Sequence, residues 1–152
     1  MKTQYIEGFA LAGFATRTKN TDEMDPAKAK IGNLWQQFYG GAGAALLPES
    51  KVYGVYSNYE SDASGEFDVT AAADTLAGQG LPGTEAVRIK AGNYLVFSGE
   101  GEMPDVVIAL WGQIWQYFNE SDCPHQRAYQ SDFEYYKSES QVEIYIGISE
   151  LS

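Results

Sequence analysis

The sequence has few of the residues that most enzyme chemistries need. It contains one cysteine, Cys123, and one histidine, His125, among its 152 residues. A single cysteine excludes an internal disulfide and a cysteine-based zinc cage, and a single histidine excludes most metal sites and catalytic triads. Neither a nucleotide-binding loop nor a nucleophile–histidine arrangement is visible. We therefore expect no cofactor, no metal and no catalytic residue.

Basic residues and long apolar runs are also scarce. Lys and Arg number 10 against 21 Asp and Glu, which gives a formal net charge of −11. Such a chain repels phosphates, so we expect no direct binding to nucleic acid. No apolar run follows Met1 and Lys2, and no segment approaches the length of a membrane span. We therefore expect a cytoplasmic protein that does not associate with membranes.

Aromatic residues are abundant instead, with eleven Tyr, seven Phe and three Trp. Tyr combines an apolar ring with a polar tip, which suits strands and binding surfaces alike. Hydrophobic residues make up 44% of the sequence, enough for a substantial core. We expect one domain over residues 1–152, because two smaller domains would each lie near the lower size limit.

The apolar pattern predicts six strands and two main helices. The strands are expected at 5–17 with a bend at Gly8 or Gly13, 51–60, 66–73, 85–99 with a kink at 91–93, 127–136 and 141–149. The helices are expected after Asp25-Pro26, ending at Gly40-Gly41, and after Met103-Pro104-Asp105. Residues 19–22 read as a polar loop, and residues 61–65 as the turn of a hairpin.

The order of strand, helix and hairpin occurs twice, which indicates an internal duplication. Leu34-Trp35 matches Leu110-Trp111 at an offset of 110 − 34 = 76 residues. At the same offset, Gln37 falls on Gln113, Tyr53 on Tyr129, and Tyr59 on Tyr135. The duplication predicts an α+β fold of two β-α-β-β modules, residues 1–77 and 78–152, related by a pseudo-twofold axis. Pairing the modules would give an antiparallel sheet with a central cleft.

Glu134 is the candidate functional residue. It lies in the middle of the predicted strand Asp132-Phe133-Glu134-Tyr135-Tyr136, where alternation places Glu134 and Tyr136 on one face. A carboxylate among aromatic residues is costly to desolvate unless a positive group pairs with it. No Lys or Arg lies within two residues, so the partner is either a ligand cation or, if Glu134 is simply solvated, water.

The 76-residue offset extends the candidate site to both modules. It places Glu134 on Asn58 and Asp132 on Tyr56, so Tyr56 and Asn58 are expected on the same face as Glu134. An acidic group surrounded by aromatic rings is how proteins hold organic cations. The predicted ligand-binding residues are Glu134, Trp111, Tyr136, Tyr145, Tyr56, Asn58 and Trp35. The alternative for the two tryptophans is ordinary packing of helix against sheet.

Several motifs resemble the GyrI-like effector-binding domains. In the first half these are Tyr53-Gly54-Val55-Tyr56, Tyr59-Glu60-Ser61-Asp62 and Gly65-Glu66-Phe67-Asp68; in the second half they are 91–97, 111–115, 132–136 and 142–148. The resemblance covers nearly the whole chain. The family includes the C-terminal domains of BmrR- and Rob-type regulators and small stand-alone proteins, some of which travel as integron cassettes.

The resemblance implies a duplicated β-α-β-β fold of the SHS2 type that binds lipophilic, often cationic compounds. A buried glutamate of the family corresponds to Glu134. Family regulators carry a helix-turn-helix domain upstream, whereas the resemblance here begins within five residues of Met1. We therefore expect no DNA-binding module in this chain, so that a regulatory role would need a protein partner.

Three functions follow from these observations. The first is binding of amphiphilic organic cations, as a sensor or a sequestering protein. The second is hydrolysis of strained-ring electrophiles with Glu134 as general base, as in some stand-alone relatives. The third is a protein-interaction module that acts on gyrase or on a DNA-binding regulator. The residues favour the first, so we expect a binding protein rather than an enzyme.

Overall fold

The fold contains an eight-stranded antiparallel sheet with helices on one face. The computed structural model describes residues 2–62 and 64–149, so Ala63 of the predicted turn and both ends of the predicted domain lie outside it. The strands are β1 (Lys2–Ile6), β2 (Phe9–Thr18), β3 (Val52–Ser57), β4 (Phe67–Ala73), β5 (Glu85–Ile89), β6 (Gly92–Glu100), β7 (Arg127–Tyr136) and β8 (Gln141–Ile148). The helices are α1 (Asn20–Glu23), α2 (Ile31–Ala42) and α3 (Asp105–Asn119).

The predicted α+β fold of duplicated modules is confirmed. The strand order is β1-β6-β8-β7-β3-β4-β2-β5. One module is β2-α2-β3-β4 and the other is β6-α3-β7-β8, and the modules meet where β3 pairs with β7 at the centre of the sheet. Read outward from this central pair, the order is β3-β4-β2-β5 in one direction and β7-β8-β6-β1 in the other. Each strand thus has a counterpart at the same place in the other half, as a pseudo-twofold axis requires.

Two of the predicted strands are wrong as single strands. Residues 5–17 divide at Glu7-Gly8 into β1 and β2, and residues 85–99 divide at Lys90-Ala91 into β5 and β6. The first strand of each pair crosses to the other module: β1 pairs with β6, and β5 pairs with β2. The chain at Gly8 passes close to the end of β5, where a Cβ would lie only 2.9 Å from the Ile89 carbonyl oxygen. Glycine, which has no Cβ, permits this close approach at the break. The modules therefore exchange their edge strands.

The two main helices cover equivalent parts of one face of the sheet. Helix α2 buries Leu34 and Phe38 against β2 and β4, and α3 buries Leu110 and Ile114 against β6 and β8. These pairs keep the 76-residue offset, so the duplication extends to side-chain packing. Within the described ranges, no helix is both long and apolar enough to cross a membrane.

Helix α2 begins later than its sequence predicts. The Asp25 carboxylate accepts a bond from the Ala27 backbone nitrogen, which forms a turn rather than a helix start. The helix begins instead at Ile31, where the Glu23 carboxylate accepts from the backbone nitrogens of Lys30 at 2.9 Å and Ile31 at 3.1 Å. Glu23 belongs to the short helix α1, which lies in the predicted polar loop. A carboxylate at this position satisfies free amides and favours the helix dipole.

The face without helices carries a second apolar layer. Alternation sends Val55 of β3 and Phe133 of β7 to this side, where they pack with Leu11, Ile89 and Val96 from strands far along the sheet. The rings of Phe9 in β2 and Phe133 in β7 lie 6.0 Å apart although the two strands are three positions apart in the sheet, which requires the sheet to be strongly curved. Gly54 and the side chains of Tyr56, Asp132, Glu134 and Tyr136 consequently lie on the opposite, helix-covered face.

Candidate functional site

Glu134 lies at the centre of the helix-covered face, directly opposite Gly54 in the β3–β7 ladder. Its side chain is buried, with 2% exposure. The Tyr56 hydroxyl and the Trp111 indole nitrogen both donate to Glu134 Oε2 at 2.7 Å. The Tyr136 hydroxyl donates to Oε1 at 2.7 Å. All three donors are neutral, and no basic side chain in the described ranges forms an ion pair with Glu134.

Burial and hydrogen bonding act on the Glu134 carboxyl in opposite directions. Burial raises its pKa, and the hydrogen bonds from Trp111, Tyr136 and Tyr56 counteract the rise by favouring the ionised form. Burial also raises the pKa of Tyr56 and of Tyr136 well above the usual value, and the charge of Glu134 adds to both shifts. The two hydroxyls therefore remain protonated donors at any physiological pH.

Gly54 makes room for the carboxylate. A Cβ at this position would lie 2.6 Å from Glu134 Oε1 and 3.2 Å from Trp35 Cζ2. A glycine in a central strand weakens the strand and marks a place where another group must approach closely. Here that group is the Glu134 side chain. Glu134 contributes the carboxylate, and Gly54, which has no side chain, leaves the space for it.

The equivalence between Glu134 and Asn58 is wrong. Tyr56 and Tyr136 donate to opposite oxygens of one carboxylate and differ by 136 − 56 = 80 residues. The same offset, 134 − 54 = 80, relates Gly54 to Glu134, which face each other across the ladder. The helices are related by 76 residues and the central strands by 80, so the helix offset misaligns the strands by four.

Two of the predicted site residues lie away from Glu134. Asn58 follows the end of β3 in a left-handed conformation with φ 51°, and its side chain donates to Asp68 at 2.7 Å. Tyr145 lies on the opposite face of the sheet, because the partner of Glu134 across β8 is Ile144. Its ring stacks on Phe133 with centroids 4.5 Å apart. The structure brings together the other five.

Two pockets are lined by the hydrogen-bond donors of Glu134, and their helix positions are equivalent in the duplication. We call them the α2 pocket and the α3 pocket. The α2 pocket is lined by Gly32, Trp35 and Tyr39 of α2 with Val52, Val107, Tyr136, Lys137, Glu139 and neighbouring residues. The α3 pocket is lined by Ile108, Trp111 and Trp115 of α3 with Asn20, Tyr56, Tyr59, Phe67 and Arg127. The three helix positions correspond at the 76-residue offset.

The pockets differ in size and in charge. The α2 pocket has a volume of about 700 Å³ and the α3 pocket about 150 Å³. Position 32 is glycine whereas its counterpart, Ile108, is a large side chain, which contributes to the difference. The charged residues of the α2 pocket, Lys137 and Glu139, are exposed. The α3 pocket includes the guanidinium of Arg127, whose side chain is 6% exposed.

Sequence reasoning missed a buried ion pair beside the site. Arg127 donates to Asp132 Oδ2 at 2.6 Å, and the Asp132 side chain is fully buried. The same carboxylate accepts bonds from the Tyr59 hydroxyl and, at 2.8 Å, from the Gly147 backbone nitrogen. Alternation does place Asp132 beside Glu134, but Arg127 reaches it only across an irregular stretch of β7. Residues five positions apart in a regular strand lie on opposite faces, so alternation did not predict this contact.

Comparison with known proteins identifies close and distant relatives. The family model of integron-associated effector-binding proteins matches residues 3–148. An integron cassette protein from the mobile metagenome of Vibrio cholerae is 52% identical, with a TM-score of 0.93 over 97% of this chain and 95% of that one. No match was found among curated proteins.

More distant structures share the fold. The structure of SAV2435 bound to tetraphenylphosphonium is 17% identical, with a TM-score of 0.71 over 97% of this chain and 93% of that one. The C-terminal domain of EcmrR is 13% identical, with a TM-score of 0.56 over 99% of this chain and 97% of that one. The fold is therefore that of effector-binding domains.

Proposed function

The chain belongs to the family of integron-associated effector-binding proteins, and we propose that it binds lipophilic organic cations in the α2 pocket with Glu134 as counter-charge. The observation that carries this proposal is the buried Glu134 carboxylate, whose hydrogen-bond donors are all neutral. An ionised carboxylate in this position lacks a balancing positive charge. A cation in an adjacent aromatic pocket would supply it.

The size and lining of the α2 pocket favour it as the cation site. A volume of about 700 Å³ falls within the range of pockets that enclose drug-sized molecules. Trp35, Tyr39 and Tyr136 provide aromatic faces, which attract organic cations. The α3 pocket is much smaller, and the ion pair of Arg127 with Asp132 leaves no net negative charge there to attract a cation.

The hydrogen bonds of the two carboxylate oxygens also favour the α2 pocket as the cation site. Glu134 Oε2 accepts two bonds, from Tyr56 and Trp111, which both line the α3 pocket. Oε1 accepts one side-chain bond, from Tyr136, which lines the α2 pocket. Oε1 is also the oxygen nearest to a Cβ at position 54, and the same Cβ would lie 3.2 Å from Trp35 Cζ2. The oxygen with fewer side-chain bonds is therefore the one bonded to a residue of the larger pocket.

Substitution of Gly32 by Trp tests the assignment of the pocket. Gly32 lies in α2, and a Cβ there meets no atom within 4 Å. The indole should therefore occupy the α2 pocket without disturbing the core, and glycine removal should favour the helix. We expect calorimetric titration with tetraphenylphosphonium to show at least about tenfold weaker binding, the equivalent of about 1.4 kcal/mol.

Ile108→Trp is the matched control, because Ile108 is the duplicated counterpart of Gly32. It adds the same side chain at the same helix position on the other side of Glu134. Its affinity for tetraphenylphosphonium should change less than about threefold, since the change lies outside the α2 pocket. Stronger loss in Ile108→Trp than in Gly32→Trp would assign the cation to the α3 pocket instead.

Cation binding should depend on pH through Glu134. Burial raises the pKa of this carboxyl in the free protein, and a nearby cation lowers it by favouring the ionised form. Binding therefore releases a proton, and affinity decreases by up to about tenfold per pH unit as pH falls below the free-state pKa. Calorimetry in buffers of different ionisation enthalpy measures the released proton directly.

Two variants separate Glu134 from other carboxylates in the pH experiment. Glu134→Gln should abolish the proton release, whereas Glu139→Gln at the exposed rim of the α2 pocket should retain it. Proton release that survives in Glu134→Gln would show that another group titrates on binding.

A further inference from the structure

We propose that the α3 pocket is a second ligand site, which takes a single neutral aromatic ring carrying a hydrogen-bond acceptor. This site is distinct from the cation site of the α2 pocket and does not depend on it. Three features carry the proposal: the volume of the pocket, its aromatic walls and an uncommitted donor on the buried Arg127.

The volume and walls select a small aromatic group. The α3 pocket measures about 150 Å³, the size at which an apolar protein cavity accepts benzene. Four aromatic side chains besides Trp111 line it: Tyr56, Tyr59, Phe67 and Trp115. Such walls favour edge-to-face and offset contacts with a flat ring. A multi-ring cation would not fit in this volume.

The hydrogen-bond donors around the pocket are nearly all committed. The Tyr56 hydroxyl and the Trp111 indole nitrogen bond to Glu134, and the Tyr59 hydroxyl bonds to Asp132. Arg127 uses one terminal nitrogen for Asp132, but its buried Nε has no partner. A buried donor without a partner costs free energy that an acceptor on a ligand would recover.

The guanidinium of Arg127 lies beside two aromatic walls of the pocket. The central guanidinium carbon of Arg127 lies 5.9 Å from the Trp111 ring centroid and 6.0 Å from the Tyr59 ring centroid. Both rings line the α3 pocket. A ligand in contact with these rings would therefore lie close to the guanidinium.

The surrounding charges favour a neutral ligand. Arg127 and Asp132 form a balanced pair, so the pocket offers no net positive charge to an anion. An anion would also experience the carboxylate of Glu134 behind Tyr56 and Trp111. A cation would find no net negative charge in this balanced pair either. A carbonyl, ether or nitrile oxygen or nitrogen on a neutral ring meets neither penalty.

Nuclear magnetic resonance of the whole chain tests the proposal with acetophenone. The three indole signals report on separate walls, since Trp35 lines the α2 pocket while Trp111 and Trp115 line the α3 pocket. Acetophenone should shift the Trp115 indole and Arg127 Nε signals saturably, with a dissociation constant of about a millimolar, as expected for so small a ligand. The Trp35 signal should not move.

Two further ligands test the chemistry of the site. α-Methylstyrene has the shape of acetophenone without the acceptor, and it should bind at least about tenfold more weakly. Benzoate, which is flat but anionic, should also bind more weakly. Equal binding of acetophenone and α-methylstyrene would overturn the role of Arg127.

The paired tryptophan variants test the location. Ile108→Trp should abolish the acetophenone shifts and retain tetraphenylphosphonium binding, whereas Gly32→Trp should do the reverse. This crossed pattern separates failure of the second site from failure of the cation site. Acetophenone shifts that move the Trp35 signal, persist in Ile108→Trp, or fail to saturate in the wild type would overturn the proposal.

Discussion

Glu134→Gln should weaken binding of a lipophilic cation by roughly 30-fold to several thousand-fold, corresponding to about 2–5 kcal/mol. The substitution keeps the shape of the side chain and removes its charge. The amide oxygen can still accept from Tyr56 and Trp111, and the amide nitrogen can donate to the Tyr136 hydroxyl, so the protein should remain folded. Calorimetric titration of wild type and variant measures the loss.

The control for this experiment is a neutral ligand of the same shape. 1-Methylquinolinium and 1-methylnaphthalene differ in charge but present the same rings to Trp35, Tyr39 and Tyr136. The neutral compound should lose less than about threefold in Glu134→Gln, because its aromatic contacts remain. Equal losses for both ligands, or no loss for either, would remove Glu134 as a counter-charge and revive the alternative of general-base hydrolysis.

Asp132→Asn should destabilise the fold by about 3–5 kcal/mol, the cost of leaving a buried charge without its partner. The side chains of Arg127 and Asp132 are 6% and 0% exposed, so water cannot replace the lost carboxylate. The asparagine oxygen can still accept from the Gly147 backbone nitrogen, which isolates the effect of charge. Urea unfolding followed by tryptophan fluorescence gives the change in free energy of unfolding.

A second Arg–Asp pair supplies the comparison for Asp132→Asn. Arg17 and Asp68 approach to 3.0 Å, but their side chains are 41% and 30% exposed. Asp68→Asn should cost less than about 1 kcal/mol, because exposed ion pairs contribute little. If the two substitutions cost the same, the burial of the Arg127–Asp132 pair does not determine its contribution.

The sequence was sufficient to predict the features that depend on local periodicity. Alternation along β7 placed Glu134 and Tyr136 on one face, and the Leu-Trp-x-Gln repeat correctly related α2 to α3. The first signal comes from neighbouring residues of one strand, and the second from a four-residue motif that recurs in each helix. The structure accordingly brings Tyr56, Tyr136, Trp35 and Trp111 around Glu134.

The features that depend on pairing between elements could not be read in the same way. Tyr145 has the alternation of a site residue, but which face it joins is decided by its register against β7. Asn58 was assigned through an offset that holds in the helices and shifts by four in the strands. The exchange of β1 and β5 between modules follows from the whole sheet, since a bend at Gly8 is compatible with either connection.

The pairing of Gly54 with Glu134 has a consequence for the symmetry of the chain. Two identical subunits related by a true dyad must place the same residue at both positions of a pair that straddles the dyad. A homodimer would therefore put two glutamates in collision or two glycines around an uncharged gap. A mutation can affect one position alone only where the two copies are encoded separately, as they are in a duplicated chain. A single charge at the centre of the sheet is therefore possible only because the two modules differ in sequence at this position.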